Sequence, residues 1–297
     1  MAPLAGETKA LGVFRKSAGE ISSGLHIVAT PIGNARDLTL RALDVLHGVD
    51  LIAAEDTRVT SKLLAIHGIQ KTLSAYNDHN GMRERPRLLK MMAEGKRVAL
   101  VSDAGTPLVS DPGYKLVREA LLLGLAVHAI PGPSAALTAL TLAGLPTDRF
   151  LFAGFLPTRA GERANALADL KDVRTSLIFF ESAQRIGESL AQMAEVLGDR
   201  LAAVGRELTK LHEDVVRGTL SELASHYAGD APRGEITIVV GPPLEQAADT
   251  ARMDALLTKA LVFMPVRAAA ELVAEALGMT RKPVYERALA LKESADE

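Results

Sequence analysis

VSDAGTPLVSDPG, residues 101–113, is the stretch on which the fold turns. The apolar run 98–101 leads into it and reads as a buried strand. The loop then spends two aspartates, two glycines and two prolines on what a plain turn does with one or two such residues. A helical pattern, YKLVREALLLG, follows at once. Strand, elaborate loop and helix together form one half-unit of a parallel α/β sheet, with the loop where such sheets bind ligands.

The same rhythm extends in both directions. LHIVA is an apolar strand, TPIGN a Pro/Gly turn, and DLTLRALDVLHGV a helix with Asp37 or Thr39 as N-cap. DLIAAED and TSKLLAIHGI give the next strand and helix, and KTLSAYND a third strand. MRERPRLLKMMAEG is helical, with Pro86 expected in its first turn. LAVHAI, PGP and SAALTALTLAG complete a parallel sheet covered by helices.

FLFAGFLP breaks the pattern and opens a second unit. Its strands are TSLIFFES, RLAAVGREL, DVVRGT and GEITIVVG, with helices between them, notably SAQRIGESLAQMAEVLG. GPPLEQAAD, residues 241–249, reads as a linker. Beyond it the pattern is helical: one helix with Ala269, Leu272, Val273 and Leu277 on a face, a turn at Gly278, and a second helix from near Pro283 presenting Val284, Ala288 and Leu291. That arrangement suits either a helix-turn-helix, with Arg281 and Lys282 toward nucleic acid, or a simple packing hairpin. The expected division is a flexible tail over 1–23, α/β domains over 24–146 and 147–243, and a helical segment over 250–297.

Composition narrows the function. A net charge of −2 excludes a strongly basic nucleic-acid arm, though not a local basic face. The absence of cysteine excludes disulfides and thiolate metal sites and fits a cytoplasmic setting. Residues 120–147 carry no Asp, Glu, Lys or Arg, but Pro131-Gly132-Pro133 interrupts them, so strand, turn and buried helix is preferred to a membrane span of about 20 residues.

Three strand-to-helix turns, TPIGN, SDAGTPLVSDPG and PGPS, would offer bare backbone to a ligand. Neither G-x-x-x-x-G-K-[ST] nor G-x-G-x-x-G is present, and Asp103 and Asp111 would repel phosphate. A cationic nucleoside without phosphate fits better, and S-adenosylmethionine is one, its carboxylate suited to a helix N-terminus such as Ser134. Taken singly, Asp111-Pro112-Gly113 can be a turn and helix cap, and PGPS a strand terminator with Ser134 as N-cap.

In this order, TPIGNARDLTLRAL, AEDTR, YNDHN, VSDAGTPLVSDPG and PGPSA, continued by GFLP, RELTK and RGE, the sequence resembles the bacterial 16S rRNA (cytidine-2′-O)-methyltransferase family, within the tetrapyrrole-methylase-like S-adenosylmethionine enzymes. The resemblance spans residues 25–242 and extends into the helical tail. It implies two α/β domains with the cofactor in the cleft between them, methylation of a decoding-region cytidine ribose, 16S rRNA within the small ribosomal subunit as partner, and a homodimer. It also implies that Ile32, Gly33, Asp103, Gly105, Thr106, Val109, Ser134 and Ala135 line the cofactor, with Phe180 and Thr237 from the second domain. Arg58, Tyr76, His79, Asn80, Arg206 and Lys210 would meet RNA. ESAQR departs from the proline-containing ESPHR of the family at Ala183 and Gln184.

Methyl transfer from a sulfonium is an in-line displacement that needs alignment, a route for the hydroxyl proton, and no metal. Asp103, Asp56, Glu181, Lys210 and His79 are the candidates for proton acceptor. Asp103 has as its rival role the cofactor amine or ribose, Asp56 an ion pair with Arg58, and His79 a polar contact. Arg83, Arg85, Arg87 and Lys90 could track phosphate from one helix or form a solvated face. Two other readings compete: a tetrapyrrole methylase of the same fold, and a non-catalytic RNA- or ribosome-binding protein.

Overall fold

The computed structural model describes residues 21–229, 232–243 and 245–296. The tail expected over 1–23 therefore lies largely outside the described residues. Ile21, within it, is partly buried and packs on the first core, its side chain filling the space a Cβ at Gly48 would need.

The chain divides into two compact units: one holds the chain up to Leu142 together with Gly205–Val215, the other Ala143–Val204 and the chain from Val216. The sequence reading had placed the boundary at 146/147 and had not separated Gly205–Val215 from the second domain.

In the first unit the elements alternate as β1 (Gly24–Val28), α1 (Leu40–Gly48), β2 (Leu51–Ala54), α2 (Thr57–Ile66), β3 (Leu73–Ala75), α3 (Gly81–Ala93), β4 (Arg97–Val101), α4 (Tyr114–Leu122), β5 (Val127–Ile130) and α5 (Ala135–Ala143). The sheet runs β3-β2-β4-β1-β5, with every pairing parallel. The three inner strands β2, β4 and β1 are short and largely buried, as a helix-covered parallel sheet requires, whereas the edge strands β3 and β5 are only partly buried. Alternation sorts the residues: Ile52, Ala54, Ala99 and Val101 join one core with Leu46 and Leu64. Leu51, Ala53, Val98 and Leu100 join the other with Leu88, Met92 and Leu116.

Local signals set the helix starts. Thr39 caps α1 through the Ala42 amide, and Asp56 caps α2 through the Arg58 amide. Pro86 lies inside α3 as its sixth residue, not in the first turn. The hydrogen bond it forgoes would have gone to the carbonyl of Met82, an exposed residue near the helix start, where water can serve instead.

The second unit's sheet runs β6-β7-β10-β8-β9. Its elements are β6 (Phe150–Phe155), α6 (Ala160–Ala168), β7 (Ser176–Ser182), α7 (Ile186–Leu197), β8 (Leu201–Arg206), β9 (Asp214–Thr219), α8 (Leu220–His226) and β10 (Glu235–Val240). β7 pairs parallel with β6 and antiparallel with β10. Helices α9 (Glu245–Leu261), α10 (Val266–Leu277) and α11 (Arg281–Asp296) follow. Because α9 begins at Glu245, the linker expected over 241–249 shortens.

Gly278 ends α10 with φ 63°, the left-handed cap glycine favours. α11 starts at Arg281, so Pro283 falls in its first turn. Ala269, Val273, Val284 and Ala288 are buried together and Leu277 and Leu291 pack on them. Leu272 does not join them; it is exposed, and Ala270 and Ala274 fill the face instead.

Candidate functional site

Register brings the motif loops to one edge. Ala54 is level with Val101 and with Ala75, and Val28 is level with Ile130. TPIGN, AEDTR, YNDHN, SDAGT and PGPS therefore all leave the sheet at its carboxyl ends, where open α/β sheets bind ligands.

Hydrogen bonds then join the loops to one another. Thr30 and Gly105 exchange backbone bonds of 2.8 and 3.0 Å, and the Thr30 hydroxyl donates to the Ser102 carbonyl at 3.2 Å. The Thr106 hydroxyl donates to the Pro133 carbonyl at 3.0 Å. The Asp56 amide donates to Asp103 Oδ1 at 2.9 Å, and Asn77 Nδ2 reaches the Glu55 carbonyl at 3.5 Å. Gly105, at φ 76°, passes close to Ile32, whose Cγ2 would lie 3.4 Å from an added Cβ.

The long loop after β4 is held in unusual backbone. Leu108 and Ser110, on either side of half-exposed Val109, have φ 77° and 64°. Side chains rarely adopt this region, and such strain concentrates at ligand loops. Gly113, at φ 135°, leaves no room for a side chain: a Cβ there would stand 2.8 Å from Leu100 Cδ2. The other two described non-glycine residues with positive φ, Glu207 and Thr209, lie in RELTK, inside the Gly205–Val215 segment of this unit.

RELTK meets TPIGN. A Cβ on Gly33 would fall 2.4 Å from Lys210 Cγ and 3.0 Å from Thr209 Oγ1. Lys210 Nζ pairs with Glu207 Oε1 at 2.8 Å, and Glu213 Oε2 accepts the Thr209 amide at 2.6 Å. Arg206 stands 3.9 Å from Asp214. Sequence reading missed Thr30, Glu55, Asn77 and Glu207 as parts of this assembly. Each adjoins or lies within a motif it had marked.

The edge is acidic. Burial, then repulsion by Asp111 and Asp103, pushes Glu55 up. Burial likewise raises Asp103, against the Asp56 amide and Arg58, and raises Asp111, with Asp103 adding to the shift. Such a cluster favours a cation over an anion. Among the described residues no group of three or more His, Cys, Asp or Glu is arranged to hold a metal ion.

Other candidates are placed differently. Asp56 chelates Arg58, which donates from its amide, Nε and Nη2, and the pairing holds Asp56 at about 2. The Arg58 side chain projects into solvent. Tyr76 is 3% exposed in the core and hydrogen-bonds Arg85, so its ring is not free to stack on a base. Arg85 turns inward to Glu119 at 2.8 Å, and Arg87 is taken up by Glu84 and Ser74. The four cations of α3 therefore do not form one phosphate-tracking row. Asn80 spends its amide closing its own turn, on the Ala75 carbonyl and the Asn77 amide, whereas His79 is exposed. Ser134 accepts the Thr138 amide at 2.9 Å at the start of α5, directly before Ala135.

In the second unit Phe180 and Thr237 are register partners on β7 and β10. The register shift between Phe152 and Gly154 lets both Phe152 and Phe155 meet the Phe180 ring, at 4.8 and 5.5 Å between centroids. Without the extra residue they would face opposite sides of the strand. Glu181 is buried, holding Arg185 at 2.5 Å and Ser189 at 2.6 Å, which removes it as a proton acceptor. In the departed ESAQR turn, Arg185 also donates to Ser182 Oγ at 3.2 Å.

With this geometry in hand, likeness to known proteins is informative. The profile of the tetrapyrrole (corrin/porphyrin) methylases matches residues 24–224, and that of the RsmI C-terminal HTH domain matches 247–292. The chain is 50% identical to ribosomal RNA small subunit methyltransferase I of Mesorhizobium japonicum, over 94% of this chain and 96% of that one. It is 51% identical to the protein of the same name from Erythrobacter litoralis, over 93% and 98%. Among solved structures it resembles uroporphyrin-III C-methyltransferase of Thermus thermophilus complexed with S-adenosylhomocysteine, with a TM-score of 0.51 and 20% identity over 73% of this chain and 96% of that one. That likeness concerns the fold.

Proposed function

The chain belongs to the ribosomal RNA small subunit methyltransferase I family, within the tetrapyrrole methylases, and on that premise we propose that it transfers a methyl group from S-adenosylmethionine to the 2′-hydroxyl of a cytidine in the decoding region of 16S rRNA. The observation that carries the reading is the joined carboxyl edge of the first sheet. Thr30, Gly105, Thr106 and Pro133 fuse three turns into one backbone wall beside a cluster of raised carboxylates. A sulfonium nucleoside with a free amino group suits that negative field, and the glycine-bearing backbone suits close approach.

The cofactor supplies an electrophilic methyl carbon on a sulfonium. The residues in this proposal bind, orient and move a proton. Ile32, Gly33, Gly105, Thr106, Val109, Ser134 and Ala135 form the wall. Asp103 holds the cofactor's amine or ribose, or takes the 2′-hydroxyl proton, with its carboxylate oriented by the Asp56 amide. Arg58, His79, Arg206 and Lys210 meet the RNA, Lys210 being fixed against Gly33. RNA in the assembled small subunit is the substrate, and the protein works as a homodimer in the cytoplasm. No described helix is long and apolar enough to cross a membrane.

Tritiated S-adenosylmethionine offered with 30S subunits, free 16S rRNA and a porphyrinoid precursor tests this. Label in 30S rRNA supports it. Label in the porphyrinoid alone would select the tetrapyrrole methylase, and no label anywhere the non-catalytic binding protein.

A further inference from the structure

The start of α4 works against its own helix. Its cap is Gly113, which makes no side-chain bond, and its first turn holds no acid. That turn holds Lys115 instead, with Arg118 just after it, although the helix dipole favours anions at this end. Lys115 and Arg118 stand three residues apart, where like charges on a helix repel. Both are exposed, and among the described residues neither has a carboxylate partner. Glu119 on the same helix is taken by Arg85 at 2.8 Å. Tyr114 opens the helix four residues before Arg118 and shares its face. Its side chain is 66% exposed, and it is the one exposed Phe, Tyr or Trp among the described residues of the first unit, Tyr76 being buried.

Local rules are broken in this way where a ligand compensates. An exposed ring beside two unpaired cations suits a polyanion with stackable bases: the base takes the ring and the phosphates take the cations. Tyr114 and Arg118 lie about 6 Å apart along the helix axis, so one short stretch of strand can reach both. A second copy of this chain is a poor match, because an isologous contact centred here sets the face against itself and presses like charges together. The location is also right for the substrate. Tyr114 follows Gly113, the last residue of the loop that carries Asp103, so the face adjoins the carboxyl edge of the sheet.

We propose that the outer face of α4 is a docking surface for the substrate RNA next to the ribose that receives the methyl group. Tyr114 stacks on a base, and Lys115 and Arg118 take flanking phosphates. RNA as the partner rests on the ribosomal RNA reading; the ring and the unpaired charge rest on α4 alone.

The test is equilibrium binding to 30S subunits and to naked 16S rRNA across a salt series. The wild type is compared with Lys115→Gln/Arg118→Gln, Tyr114→Ala and Tyr114→Phe. The charge variant is expected to bind both RNAs about tenfold more weakly, and its log–log salt slope to fall by about 1.4–1.8, two phosphate contacts. Its melting temperature is expected to hold or rise, since repulsion within α4 is relieved. Tyr114→Ala is expected to bind about tenfold more weakly with an unchanged slope, and Tyr114→Phe, which keeps the ring, to bind like wild type. All three variants keep wild-type affinity for S-adenosylmethionine, which reports that the fold is intact. Wild-type binding in the charge variant or in Tyr114→Ala would overturn the proposal, as would an equal loss in Tyr114→Phe. A loss on 30S subunits alone would give the face to a ribosomal protein, and a changed oligomeric state in sedimentation with RNA binding intact would give it to a second copy; either result overturns the proposal. Because the readout is binding, failure of methyl transfer with these losses intact counts against the function and not against the surface.

Discussion

Single residues set the tightest constraints on the loop after β4. Gly113 cannot take a side chain, since φ is 135° and a Cβ would meet Leu100 Cδ2 at 2.8 Å. Gly113→Ala is expected to cost about 2–3 kcal/mol in urea denaturation; an unchanged midpoint would mean that the loop relaxes freely. Gly33 is as tightly placed, since a Cβ there would meet Lys210 Cγ at 2.4 Å and Thr209 Oγ1 at 3.0 Å. Gly33→Ala should lower the melting temperature by a few degrees and, by displacing Lys210, lower kcat. If Lys210 only packs, kcat will not move. Asp103→Asn should abolish methyl transfer if Asp103 is the proton acceptor and should chiefly raise KM for the cofactor if it binds the amine. Full turnover with wild-type KM would remove both roles. As burial raises Asp103 above its ordinary 3.8, the wild-type acid limb should lie above that value, the active carboxylate being lost as pH falls, and should vanish in the variant. At this scale the sequence was a mixed guide. It marked Asp103, Gly105, Thr106 and Lys210, which the structure brings into the first unit. It also marked Tyr76, Arg85 and Glu181, which turn inward, because a motif shows which residues occur together but not which way a side chain faces. The positive φ of Glu207 and Thr209 left no trace in the sequence, since neither is glycine.

Elements were read more reliably than residues. Every strand of the first sheet is a short apolar run closed by a Gly, Pro or Asp turn, and alternation alone sorted its faces. What pattern could not supply was the order β3-β2-β4-β1-β5, nor the register that levels Ala54, Ala75 and Val101. Within this sheet, Asp50 just before β2 accepts the Arg97 amide and both ends of its guanidinium at 2.8–3.0 Å, which holds Asp50 at about 2. A depressed folded pKa means stability present above the unfolded value of 3.8 and lost as pH falls toward 2. Both side chains are partly exposed, so solvent screening limits the pair to about 1 kcal/mol. Asp50→Asn should therefore be less stable than wild type at pH 6, with the difference closing by pH 2–3; a constant difference would contradict the linkage. The staple between loops is testable too. Thr106→Val loses its bond to Pro133 and should cost about 1 kcal/mol while weakening cofactor binding several-fold in calorimetry.

Across the whole molecule, a family of ribosomal RNA methyltransferases accounts for features that neither a tetrapyrrole methylase nor a passive RNA-binding protein explains together. The joined carboxyl edge fits a cofactor, and the three C-terminal helices match a helix-turn-helix profile. The chemistry at the ribose offers the most direct check. A 2′-O-methyl group removes the nucleophile by which alkali cleaves the adjoining phosphodiester. The decisive measurement is alkaline hydrolysis of 16S rRNA from 30S subunits after incubation with the protein and tritiated S-adenosylmethionine. The account predicts label in an alkali-resistant dinucleotide whose 5′ member is cytidine. Label released in mononucleotides, as base methylation would give, would contradict it.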